Sequence, residues 1–208
     1  MKKIVLISTI LIMFSVGCAK KEAPIASEIV IKENSINLSI SSHKYTIITS
    51  SSVSYIVDKE WLKKSTEKVL GRNRLIKGSF EYNDKAGELN AIKIEIDTGG
   101  FDSGNKSRDK VVEKMLGKQI LIASVDKEVI FASSSYNMIP LNLSINEVTK
   151  KVLFGVTANT SSSYIMASGS STIMMSDFNI KAPSILNVYG VNNKLDIIFD
   201  ITSKLNSK

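Results

Sequence analysis

One cysteine, one histidine and three prolines occur in 208 residues, and each scarcity removes a class of protein. A lone thiol cannot form an internal disulfide, so an exported domain built from this chain must be held by its core alone. One thiol and one imidazole, Cys18 and His43, do not make a Cys/His zinc set. The same poverty removes serine hydrolysis, because the serine-rich segments 50–54 and 161–163 have no convergent base. Gly-x-Ser-x-Gly, Gly-x-x-x-x-Gly-Lys and Gly-x-Gly-x-x-Gly are all absent. The chain is therefore read as a non-enzyme without metal or cofactor. The formal charge of +7 is spread along the chain, with no long basic run and no aromatic-basic interleaving, which excludes nucleic acid.

Long hydrophobic runs are also lacking, apart from Ile4 to Phe14. At about 1.5 Å per helical residue this run covers little more than half of a ~30 Å hydrocarbon core, too short to span it. Lys2 and Lys3 precede it and the small residues Ser15, Val16 and Gly17 follow, the layout of a secretory signal. The segment SVGC resembles the bacterial lipobox, in which the cysteine receives diacylglycerol before cleavage. Ser15 departs from its usual leucine. The resemblance implies a signal over 1–17 and an N-terminus at Cys18 carrying acyl chains such as palmitate. The alternative is a plain cleaved signal followed by a chance cysteine. Residues 18–37 mix charges with Pro24 and read as a flexible tether, leaving 38–208 as one domain. The expected location is the bacterial cell envelope, on a periplasmic or surface-facing membrane, and association into a homodimer is left open.

What the domain has in abundance is period-two alternation. Val53, Tyr55 and Val57; Phe80 and Tyr82; Ile92, Ile94 and Ile96; Leu141, Leu143 and Ile145; Val152, Phe154 and Val156; and Leu195, Ile197, Phe199 and Ile201 each mark one apolar face of a short strand. Turn chemistry at 83–87, 145–147 and Asn192-Asn193 separates them, so an antiparallel barrel or sandwich is expected. Two helices compete with this pattern. SRDKVVEKMLG has Ser107 as candidate cap, Asp109 in the first turn and Gly117 as stop. DKEWLKKSTEKVLG places Trp61, Leu62, Ser65 and Val69 at helical spacing, although a strand continuing from Val57 would claim the same residues.

Six segments in order resemble the YceI family: YTIITSSSVSYIV (45–57), GRNRLIKGSFEY (71–82), IDTGGFDSGNKSRDKVVEKML (96–116), KEVIFASSS (127–135), LNLSINEVTKKVLF (141–154) and SDFNIKAP (176–183). The resemblance spans about Lys44 to Lys204. It implies an all-β, lipocalin-like antiparallel barrel of about eight strands with one or two short helices, enclosing an isoprenoid chain. Departures fall at Ser51, where a histidine is common, at Ile48 for an aspartate, at Glu147 and Asn179 for glycines, and at Met175 for an arginine. Losing the histidine and arginine leaves fewer polar contacts for a ligand head group.

The inward apolar set is Val53, Tyr55, Val57, Phe80, Ile94, Ile96, Phe131, Leu143, Ile145, Phe154 and Phe199. It either lines a tunnel for a long apolar ligand, plausibly a quinone or polyprenyl lipid, or fills a closed core whose outer face binds another protein. Asp102, Asn105, Ser107, Arg108 and Asp109 are read as a structural loop and helix cap, with Arg108 pairing a carboxylate.

Overall fold

A computed structural model describes residues 42–62, 65–124 and 129–207, all within the unit Ser39–Lys208. The signal, Cys18 and the tether lie outside the described residues.

Among the described residues, twelve strands and one α-helix follow in chain order. They are β1 (His43–Ile47), β2 (Ser52–Trp61), β3 (Ser65–Asn73), β4 (Ile76–Asn83), β5 (Glu88–Asp97), α1 (Lys106–Leu116), β6 (Gln119–Ser124), β7 (Val129–Ile130), β8 (Tyr136–Ile145), β9 (Val148–Thr160), β10 (Tyr164–Met174), β11 (Ser184–Ile185) and β12 (Tyr189–Leu205). Antiparallel pairing runs β1-β4-β5-β6-β8-β9-β10-β12 and returns from β12 to β1, closing an eight-strand barrel. Closure leaves this ring without a free edge.

Alternation is the cause. In β8, Ile139, Leu141, Leu143 and Ile145 are buried while the residues between them are only half-buried, as a strand with one face to an interior requires. A two-residue turn at Asn146-Glu147, both with positive φ (49° and 65°), joins β8 to β9 in the primed-turn geometry that fits strand twist. Asparagine takes that conformation readily. Glutamate takes it at some cost.

β2 and β3 extend the wall at one end. β1 and β2 lie successively along β12, with Ile47 opposite Ser203 and Ser52 opposite Asp200. β3 pairs with β2 from Val53–Asn73 to Trp61–Ser65. Only an isolated bridge, Arg72 to Asp102, links β3 to the segment after β5. Residues 98–116 fill that side with a short 3-10 turn, Thr98–Gly100, and with α1.

Three sequence expectations are corrected. Residues 58–61 and 65–71 lie on the paired strands β2 and β3, not on a helix, and Val57 faces Val69 and Tyr55 faces Gly71 across the ladder. Asn192-Asn193 lies inside β12 at a register shift between Val191 and Leu195, not at a hairpin turn. α1 is capped by Asn105, whose side chain accepts from the Arg108 amide at 3.1 Å. Ser107 sits inside the first turn and is exposed.

Candidate functional site: an apolar cavity at one end of the barrel

The interior divides into two ends of different character. At the end holding Tyr45, Phe80, Tyr82, Phe131 and Phe154 the side chains pack into a plug, with Tyr45 stacked on Phe80 at 5.6 Å and Tyr82 edge-on to Phe131 at 6.2 Å. A void of only about 90 Å³ remains there. The other end, walled by the β2–β3 hairpin and α1, holds a cavity of about 560 Å³. Sites for drug-sized ligands are typically about 300–1,000 Å³.

The cavity wall draws on almost every element at that end. Val53, Tyr55 and Val57 come from β2, Val69 from β3, Ile96 from β5, Leu143 and Ile145 from β8, and Ile173 from β10. α1 contributes Val112, Met115 and Leu116. The helix is fastened at its far end: Asn146 donates from Nδ2 to the Met115 carbonyl, and Thr98 donates from Oγ1 to the Gly117 carbonyl. Gly117 has φ 73°, the left-handed region that lets the chain leave the helix toward β6. Trp61, Tyr189, Lys59 and Glu67 also line the cavity. There Lys59 Nζ lies 3.7 Å from the Trp61 ring centre and 4.2 Å from that of Tyr189, while Trp61 donates to Glu67 at 3.0 Å.

A second polar cluster interrupts the apolar lining. Tyr55 is 6% exposed, and its ring lies against Gly71 so closely that a Cβ there would sit 2.3 Å from a ring carbon. Its hydroxyl finds no hydrogen-bond partner, and neither do the buried Nε of Arg108 and Oδ2 of Asp109. Asp109 Oδ1, by contrast, accepts from both the amide (3.0 Å) and the hydroxyl (2.5 Å) of Ser103. Burial pushes the Tyr55 phenol above its ordinary range; the Arg108 guanidinium opposes that rise, Asp109 adds to it, and nearby Ser103, outside hydrogen-bond geometry, lowers it. Arg108 forms no ion pair among the described residues, contrary to the carboxylate partner expected from sequence.

Of the eleven apolar residues singled out from sequence, Val53, Tyr55, Val57, Ile96, Leu143 and Ile145 line the large cavity. Phe80, Ile94, Phe131 and Phe199 line the small void instead, and Phe154, 1% exposed, is solid core. Asp102 accepts from the Gly104 amide at 3.0 Å and stays in the loop, while Asn105, Ser107 and Arg108 reach the cavity lining. Sequence reasoning missed Val69, Ile173 and the apolar face of α1 as lining residues; Val69 falls in the segment that helical spacing and a strand both claim. Ser51 is remote in role: its hydroxyl is buried in a two-way exchange with the Thr202 backbone, so a histidine missing there takes nothing from the cavity. Met175 does line it, which makes that part of the wall apolar.

With this geometry in hand, comparison with known proteins gives a family. The sequence profile of the YceI-like domain matches residues 45–203. The chain belongs to the YceI-like family. No curated protein matches it in sequence. Among solved structures, the YceI-like barrel is similar to a polyisoprenoid-binding domain from Saccharophagus degradans, implicated in plant cell wall breakdown, with TM-score 0.58 at 12% identity, covering 80% of this chain and 100% of that one. It is similar to BcnA of Burkholderia cenocepacia, with TM-score 0.59 at 17% identity over 74% and 96% of the two chains. A third relative is the YCEI protein of Campylobacter jejuni, with TM-score 0.54 at 13% identity over 66% and 85%. At these identities the likeness is one of fold, and the closed antiparallel YceI-like barrel expected from sequence is what the structure has.

Proposed function

We propose that the barrel binds and sequesters a long apolar molecule, an isoprenoid chain such as a polyprenyl lipid or quinone, without chemical change. The observation that carries this reading is the contrast between the two ends of one interior. The chain packs aromatic side chains solidly at one end and leaves about 560 Å³ of mainly hydrocarbon-lined space at the other. Protein interiors ordinarily close such space, because unfilled volume costs about 24 cal/mol per Å³. A cavity of this size is therefore maintained for an occupant. Burying each chain methylene contributes about 0.8 kcal/mol, so affinity needs few polar contacts. Membership of the YceI-like family and the polyisoprenoid-binding relative support the choice of ligand.

Acylation of Cys18 belongs to the same proposal. Several acyl chains anchor a protein stably where one does not. A barrel tethered in the cell envelope meets its ligand at the bilayer that dissolves it.

The test is native mass spectrometry of a soluble form starting at Lys20, purified from cells and then offered geranylgeraniol. A co-purifying adduct released by organic solvent, or saturable uptake of the added lipid, is expected. Repeated absence of both overturns the reading.

A further inference from the structure

The cavity reading leaves the orphaned polar atoms unexplained, and they are costly. A buried donor or acceptor without a partner typically costs about 1–3 kcal/mol, and a native fold keeps few of them. Here Tyr55 Oη, Arg108 Nε and Asp109 Oδ2 are all orphaned, beside a cavity lined mainly by apolar side chains. Tyr55 and Arg108 both line that cavity, from β2 and from the first turn of α1 respectively. The phenol cannot swing away to find a partner. Its ring is clamped between the bare backbone of Gly71 and the ring of Phe101, 5.3 Å away.

Resting on the apolar-ligand reading, we infer that Tyr55 and Arg108 form a head-group site, donating hydrogen bonds from Oη–H and Nε–H to one neutral oxygen, a hydroxyl or carbonyl, at the end of the bound chain.

The Arg108 guanidinium can only donate and the Tyr55 hydroxyl can donate beside it, so a partner shared by both is an acceptor. Its charge follows from what stands behind them. Arg108 contributes one positive charge and the adjoining Asp109 carboxylate one negative, and Asp109 is felt at the phenol, whose proton it helps to retain. An anionic head such as a diphosphate would meet that carboxylate at close range in a poorly solvated site. A neutral oxygen meets no such penalty, and a hydroxyl has in addition a proton to give. Met175 adds no cation, and Lys59, the other cation in the cavity lining, is engaged over the Trp61 and Tyr189 rings.

The experiment titrates the soluble barrel with three probes sharing an isoprenoid body: geranylgeraniol, geranylgeranyl diphosphate and the oxygen-free hydrocarbon phytane. Wild type should bind the alcohol most tightly. Tyr55→Phe should weaken the alcohol roughly tenfold, the worth of about one hydrogen bond, and leave phytane unchanged. Arg108→Met should act in the same direction. Because no protein group bonds the phenol, Tyr55→Phe should leave the ligand-free melting temperature equal or higher, which a hydrogen bond from the hydroxyl to the fold would not allow. Equal loss of alcohol and phytane in Tyr55→Phe, or tighter binding of the diphosphate than of the alcohol, overturns the head-group site while leaving the cavity. Failure of wild type to bind any of the three overturns the apolar-ligand reading instead.

Discussion

Replacing Val69 by tryptophan tests whether the cavity is a binding space or a packing irregularity. Val69 is 5% exposed, faces Val57 across the hairpin and lines the large cavity. The added ring therefore has about 560 Å³ to enter and need not displace a neighbour. Overpacking a filled core costs about 1–3 kcal/mol, whereas here the ring gains burial worth about 25 cal/mol per Å². The ligand-free variant should thus melt no lower than wild type. The ligand response should vanish. At about 100-fold excess over Kd a ligand stabilises the native state by ~2.7 kcal/mol, which in a domain of this size raises Tm by roughly 5–11 °C. Differential scanning calorimetry with and without geranylgeraniol reads both quantities. Ala158→Phe is the control: Ala158 is 2% exposed within the packed end, so the same kind of enlargement there should lower Tm by roughly 2–12 °C while the ligand shift persists. If Val69→Trp destabilises as much as Ala158→Phe, or keeps the full ligand shift, the division of the interior into a filled and an open end is wrong.

Asn105→Ala should destabilise by about 1 kcal/mol and loosen α1, seen as faster amide exchange in its first turn, while Ser107→Ala should be nearly silent in the same measurement. Alkaline stability should reflect Tyr55: its phenol is raised in the folded state, so its contribution is fully present below about pH 10, the unfolded value, and is lost as pH climbs through the higher folded value. Denaturant melts should therefore weaken above pH 10, less steeply in Tyr55→Phe; a residual slope is expected from Tyr45 and Tyr82, raised first by burial, and from Lys77, raised by its bond to Glu95. Cys18→Ser should move the full-length protein from the membrane to the soluble fraction of fractionated cells, with an unchanged circular dichroism spectrum for the barrel.

Much of the barrel was legible because β8, β9 and β5 each present one face to the interior, and alternation is the direct imprint of that arrangement. The β2–β3 hairpin was harder for a physical reason. Its outer part runs beyond the eight-strand ring, and residues 65–68 are all exposed, so neither face is marked apolar and the spacing of Trp61, Leu62, Ser65 and Val69 imitates a helix. The cap of α1 was displaced for a similar reason: Asn105 and Ser107 are both good caps, and only the extended backbone at Asn105 decides between them. The cavity was not legible at all. An inward isoleucine carries the same sequence signal whether it touches a neighbour or faces open space, which is why Phe80, Phe131 and Phe154 were grouped with Val53 and Leu143. That Tyr55 and Arg108 line the same cavity depends on where α1 sits relative to β2, and no local pattern encodes that.

β12 pairs with β10, β1, β2 and β11, and it is the last strand in the chain. Its partners β1 and β2 are the first two strands among the described residues. A chain emerging from its N-terminus can form the β8–β9 hairpin early, but it has no enclosed interior until the final strand arrives. Such distant pairing makes folding slow, on the scale of milliseconds to seconds. On the function proposed above, ligand capture must therefore wait until the whole barrel sequence is free to fold. The same seam is the first place where shortening the C-terminus would open the interior.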